Sequence, residues 1–332
     1  MMSSKTNIGK CLNTDTARNI RTYLFSIVAI TLWGSSYIWS DCLIGMGVSI
    51  FYFVFIRILI AGILLLAFNA ATRKLQALKK ADLPEFLLLA FCEPFLYFIC
   101  ETYGIKETGS PTISAMAIAT IPLFSLFAGV VFFKEKINWL NVVGVIASLG
   151  GIVLVAMANG ALGDRFILGI LFLLVAVIAE VCHASITKRL SKRYSSQNIV
   201  MYQFLIGSVY LLPPFIFKGL DNYDAAVWNS WAVWKSILFL AVLCSSLAFT
   251  LWVGTIKQLG VAKSSIFSAL IPVASAVIAM VCGSEFLDLR QWAGVAICTA
   301  GVIMSQMTLK KERTKRKHSA HGRKTTREKD GK

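Results

Sequence analysis

Apolar runs of about 20 residues recur from Tyr23 to Met307, and nothing else in this chain constrains its fold so tightly. One such run crosses a hydrocarbon core about 30 Å thick as a helix. In lipid every backbone polar group must be satisfied within the segment, so a helix is the form each run takes. The pattern predicts ten spans, at 23–41, 49–70, 84–104, 110–133, 138–158, 166–187, 198–217, 234–256, 263–283 and 290–308. The expected fold class is an all-α membrane protein. Composition agrees: only 15% of the residues are charged and mean hydropathy is +0.70, against about 25% charged in a soluble domain.

A net charge of +16 would point to nucleic acid in a soluble protein. Here the basic residues sit in tails and short connections, so no nucleic-acid partner is expected. With the N-terminus placed in the cytoplasm, 27 lysines and arginines fall on the inside and 5 on the outside, with Arg57 left within a span. By the positive-inside rule both termini are then cytoplasmic, and an inner (plasma) membrane location is expected. The organisation is a cytoplasmic N-terminal segment (1–22), two helical halves (23–158 and 166–308) and a basic tail (309–332). The tail is too polar to build a core and is expected to be disordered. It serves as a topology anchor or is drawn to anionic headgroups. The eight cysteines show no CxxC pair and no metal-ligand spacing, so they are expected to be buried hydrophobes.

The two halves are repeats. Shifted by 150 residues, 114–151 aligns on 264–301 without a gap. The matches include Ser114/Ser264, Pro122/Pro272, Glu135/Glu285, Gly144/Gly294 and Gly151/Gly301. Spans four and five therefore correspond to spans nine and ten. Each half holds five spans, an odd number, so the second half enters the membrane upside down. Inverted repeats are a mark of secondary transporters, whose site lies near the midplane between the halves. An inverted repeat without transport, as in some channels, is the alternative.

The residues carrying this repeat resemble the drug/metabolite transporter superfamily in its EamA-type ten-helix branch. The similar stretches are LWGSSYIWS in span one, FIRILIAGILLL with Arg57 in span two, and IPLFSLFAGVVFFKEKINWLNVVGVIASLGGIVLV with its echo IPVASAVIAMVCGSEFLDLRQWAGVAICTAGVIM. The resemblance implies two inverted five-helix repeats around a central cavity lined by spans one, three, four, six, eight and nine, with five and ten peripheral. It also implies transport of small metabolites, often amino acids outward, without ATP hydrolysis. Two positions depart from the family pattern. Ser40-Asp41 stands where a basic residue is common, and Glu180 where an aromatic is common.

A charge at mid-bilayer costs about 2.5–3.5 kcal/mol on insertion scales, so each one needs a partner, a cavity or a proton. Span three carries Glu93, Tyr97 and Glu101 at helical spacing, with Pro94 expected to free backbone carbonyls. Glu93 should lie about 13 Å deep at 1.5 Å per residue. Span six carries Glu180 and His183, with Thr187 one turn on. A Glu beside a His can share or pass a proton. These residues, with Trp33, Tyr37 and Trp252, are the candidate cavity residues. The competing view of the acids is a structural hydrogen bond or a pair with Arg57, itself a structural or ion-pair candidate. Pro94, Pro122 and Pro272 are expected to kink their helices, and Glu135 and Glu285 to cap helices at loop edges. Gly144, Gly150, Gly151, Gly294 and Gly301 allow close helix contact, within the chain or between copies.

The expectation is a secondary transporter, exporting a small metabolite such as an amino acid by alternating access through a midplane cavity. The alternatives are a channel-like or structural membrane subunit, or an intramembrane enzyme. The sequence has no HExxH, GxSxG or Walker motif, so no catalytic residue, metal or cofactor is expected. The partners are the lipid bilayer and a small-molecule substrate, with monomer and homodimer both open.

Overall fold

A computed structural model describes residues 3–124, 139–158, 163–221 and 224–306; Glu135, the connection around it and the basic tail lie outside the described residues. Among the described residues, ten helical stretches stand in the places of the ten expected spans. Eight are long and apolar enough to cross a membrane: Ile20–Gly45, Ile50–Ala71, Lys80–Thr108, Trp139–Ala158, Asp164–Leu190, Ser196–Lys218, Trp231–Leu259 and Lys263–Cys282. Pro111–Phe124 is a shorter apolar helix in the place of span four, and 289–306 is helical in the place of span ten. The first helix starts well before its apolar run, at Ser3.

The repeat is visible in the backbone. Span four is helical over Pro111–Ile118, breaks at Ala119 and Thr120, and resumes at Ile121. Span nine is helical over Val261–Ser268, breaks at Ala269 and Leu270, and resumes over Ile271–Cys282. The two breaks differ by the same 150 residues, and Pro122 and Pro272 each sit just past theirs, where the missing N–H costs nothing. Spans three and eight each contain a wide turn, at Phe91–Leu96 and Leu240–Leu247. These too are one repeat apart.

Packing obeys the same symmetry. Span two packs along span seven, span one along spans eight and nine, and span six along spans three and four. Exchanging the halves turns the contacts of span one into those of span six. Spans five and ten meet through their glycines. A Cβ on Gly144 would lie 2.6 Å from the Gly301 carbonyl oxygen, and one on Gly151 would lie 2.5 Å from that of Gly294. Equivalent helices therefore touch antiparallel about a pseudo-twofold axis, the geometry of an inverted repeat. Four of the five glycines are spent on this seam within the chain, whereas a Cβ on Gly150 would meet nothing within 4 Å.

Glu285 caps a helix of the other half. Its carboxylate accepts from the backbone N–H of Thr112 at 3.2 Å and from the Thr112 hydroxyl, at the positive end of span four. Glu285→Ala is expected to cost about 1 kcal/mol, the usual value of a lost cap, measurable as a lower unfolding midpoint in detergent.

Candidate functional site

The wide turn in span three places the deepest acid. Pro94 cannot donate a helical hydrogen bond, and Glu93 before it is extended, with φ −149° and ψ 123°. The regular face expected from Glu93 through Glu101 is therefore interrupted, because the residue before a proline is driven out of the helical region. Helix resumes at Tyr97, whose hydroxyl donates to Glu101 Oε1 at 2.9 Å. The Pro94 ring fills the place of a side chain at Gly207, where a Cβ would lie 2.4 Å from Pro94 Cγ.

One cavity collects side chains from both halves. Its walls include Trp33, Ser36 and Tyr37 of span one, Arg57 of span two, Glu93, Tyr97, Phe98 and Glu101 of span three, and Glu180 of span six. Ile118 and Ile121 of span four, Phe249 and Trp252 of span eight, and Ser264, Ser265 and Ser268 of span nine also line it. About 700 Å³ of space lies between these walls, the open solvent at its mouth included. Among the described residues, spans five and ten contribute no wall residue. Span two does, through Arg57, which the family resemblance did not imply.

His183 does not reach the cavity; it lies fully buried behind it and joins the two acids that do. Its Nδ1 is 2.8 Å from Glu93 Oε2 and 2.9 Å from Glu180 Oε2. Nδ1 can carry only one hydrogen, so it can donate to only one of the two carboxylates, and its contact with Glu180 has hydrogen-bond geometry. Glu93 Oε2 is left in contact with the ring without a hydrogen bond, in a residue only 2% exposed. On its other side the ring nitrogen Nε2 is 3.2 Å from Thr187 Oγ1 and 3.3 Å from Gln203 Oε1. The ring is thereby clamped from spans six and seven while facing span three.

Arg57 pairs with no acid among the described residues. Its Nε–H donates to Ser245 Oγ at 2.7 Å, and its guanidinium carbon lies 4.3 Å from the centre of the Phe98 ring. The wide turn in span eight supplies that serine and also exposes a carbonyl. Trp33 Nε1–H donates to the Cys244 oxygen at 3.1 Å. The Trp33 ring then meets Phe249 and Trp252 edge-on, with centroids 5.0 and 5.1 Å away. The Tyr37 hydroxyl joins Tyr97 and Glu101. Sequence reasoning passed over Gln203 and the serines of span nine. Lone amides and closely spaced serines in apolar runs were the signals that could have found them.

The basic end of the bundle is closed by polar contacts between halves. Arg193 bonds Asp82 and lies 2.8 Å from Glu85, while the Tyr194 hydroxyl donates to Asp82 Oδ2 at 2.7 Å.

The model of the EamA-like transporter family matches this chain twice, at residues 20–157 and 167–307. The chain belongs to the EamA-like transporter family. Among its relatives is the uncharacterized transporter YetK of Bacillus subtilis, 25% identical over 87% of this chain and 87% of that protein. Another is a "Probable terminal-alkyne amino-acid exporter" of Streptantibioticus cattleyicolor, 26% identical over 75% of this chain and 81% of the relative. A solved crystal structure, 17% identical, covers 87% of this chain and 99% of its own with a TM-score of 0.64, which shows the shared fold. This EamA-like protein is a multi-pass membrane transporter, in a family of transporters rather than enzymes.

Proposed function

We propose that this transporter moves a small amphipathic metabolite carrying both an ammonium and a carboxylate, such as an amino acid, out of the cell by alternating access. One observation carries the proposal. A single cavity between the two repeats holds an arginine, three acids and an aromatic wall. Arg57 has one acceptor among the described residues, Ser245, so the rest of its planar fork is available to a carboxylate. Glu93 and Glu180 are acceptors for an ammonium group, and Trp33, Phe249 and Trp252 provide an apolar surface between. The exporter from Streptantibioticus supports an amino-acid class of substrate. The charge asymmetry supports cytoplasmic termini, which puts the basic end inside. The glycine seam of spans five and ten supplies an axis about which the halves can rock while the cavity stays at the centre.

Counterflow in proteoliposomes tests this. Vesicles preloaded with a panel of unlabelled amino acids should accumulate the labelled species, and Arg57→Met should lower uptake at least tenfold. A panel that shows no exchange for any amino acid would rule the substrate class out.

A further inference from the structure

Two cysteines meet where the halves touch. The Cys92 thiol of span three and the Cys182 thiol of span six hydrogen-bond to each other. Each stands one residue before a member of the contact that joins these spans, Glu93 Oε2 to His183 Nδ1 at 2.8 Å. That contact, formed from the wide turn at Phe91–Leu96, holds the two backbones side by side. Both cysteines are free thiols. Cys42, Cys100, Cys244 and Cys298 have no second sulfur among their partners, so such pairing is not the general state of the cysteines.

The two thiols differ in what can reach them. Cys92 is buried, whereas Cys182 is exposed. Cys182 continues a stripe of exposed apolar residues on the outside of span six, Leu171, Val175 and Ile178, at helical spacing. Counted from Leu190 at the basic end of the helix, it lies about 12 Å deep at 1.5 Å per residue. That is inside a hydrocarbon core about 30 Å thick. A reagent that meets this thiol is therefore one that dissolves among acyl chains.

We propose that Cys92 and Cys182 are a redox-sensitive pair, oxidised to a disulfide by acyl-chain hydroperoxides, and that the disulfide fastens one half to the other and arrests transport. The Cys182 sulfur attacks the terminal peroxide oxygen, the O–O bond breaks, and the lipid alcohol leaves behind a sulfenic acid. The Cys92 sulfur attacks that sulfur and water leaves. Two thiols and one hydroperoxide thus give one disulfide, one alcohol and one water. The sulfurs lose two electrons and the peroxide gains them. Exchange with a reducing thiol reverses the bond. Sulfurs already in contact have only to close to about 2.05 Å. Spans three and six belong to different halves and both carry cavity walls, so the bond removes the movement between them that alternating access requires. The arrest half rests on the alternating access proposed above; the oxidation half does not.

Full-length protein in lipid vesicles, treated with cumene hydroperoxide, tests both halves. Mass spectrometry of proteolytic fragments should show the span-three and span-six peptides joined, and dithiothreitol should separate them. Oxidised glutathione, which stays in the water, should not join them. Cys182→Ser should show no joined pair; its side chain is exposed, so the variant is expected to fold, and Cys92→Ala is a second control. Deuterium uptake by the span-three amides should slow about tenfold on oxidation in the wild type and not in Cys182→Ser, which reads the lock without a substrate. Counterflow should fall by a similar factor and return with dithiothreitol. No joined peptides, or joining by oxidised glutathione as readily, would overturn the proposal. So would a joined pair that leaves deuterium uptake or an existing counterflow unchanged. Slowed deuterium uptake with no amino-acid counterflow in the reduced protein would keep the redox pair and discard the amino-acid reading. Counterflow in the reduced protein with no joined peptides would do the reverse.

Discussion

Replacing Gly151 with leucine is expected to cost more than about 3 kcal/mol and to leave little folded transporter after detergent extraction. Over-packing a tight contact commonly costs 1–3 kcal/mol, and more where nothing can give way. At Gly151 a Cβ alone would lie 2.5 Å from the Gly294 oxygen and 2.7 Å from the Cys298 nitrogen. Both are backbone atoms of span ten, so relief requires moving a whole helix. The pseudo-twofold axis makes a second demand. Gly301→Leu should fail to a similar degree, because its Cβ would meet the Ser148 nitrogen at 2.6 Å and the Gly144 oxygen at 2.7 Å. Gly150 is the internal control. It neighbours Gly151 in sequence but is exposed on the outer face, with nothing within 4 Å of its Cβ. Gly150→Leu should stay within about 0.5 kcal/mol of wild type, as surface changes do. Size-exclusion profiles and unfolding midpoints of the three variants check this. If Gly151→Leu matches Gly150→Leu, the seam is not where the helices meet.

Much of the architecture was legible because lipid leaves a chain so few options. Twenty apolar residues must be a helix, and a gap-free offset of 150 residues must be a repeat. Pro122 and Pro272 even marked the breaks in spans four and nine. The break in span eight carried no such mark. Span three turns at Pro94, but the equivalent turn at Leu240–Leu247 contains no proline. Serines satisfy its backbone instead, with Ser246 Oγ donating to the Ala241 oxygen at 2.9 Å. Such back-bonding leaves no distinctive pattern. The candidate residues were legible one by one, since charged and aromatic groups in apolar runs stand out. Their partners were not. Glu93 and His183 are far apart in sequence, and only the packing of span six on span three joins them. For the same reason Arg57 could be weighed against the acids, yet its bond to Ser245 came from a turn that the sequence did not advertise.

The join between Glu93 and His183 makes its own demand on stability. Removing the imidazole in His183→Leu would leave two buried carboxylates facing each other across an apolar side chain. Breaking a buried charged cluster by deleting one member costs about 3–5 kcal/mol, mostly the penalty of the uncompensated charge left behind. The same loss is therefore expected here at high pH, where both carboxyls are ionised. Acid should soften it, because a proton on either carboxyl removes the repulsion; the gap between His183→Leu and wild type should narrow as pH falls. Replacing all three groups, with Glu93→Gln and Glu180→Gln added to His183→Leu, leaves no net charge to compensate. That triple variant should regain much of the lost stability and lose its pH dependence, while remaining unable to exchange substrate. Thermal unfolding across a pH series in lipid nanodiscs separates the two contributions. A triple variant as unstable as His183→Leu alone, at every pH, would mean that the ring matters for its volume against Gln203 and Thr187 rather than for its charge. The charge account requires the opposite order, since the cost then belongs to the two acids left uncompensated.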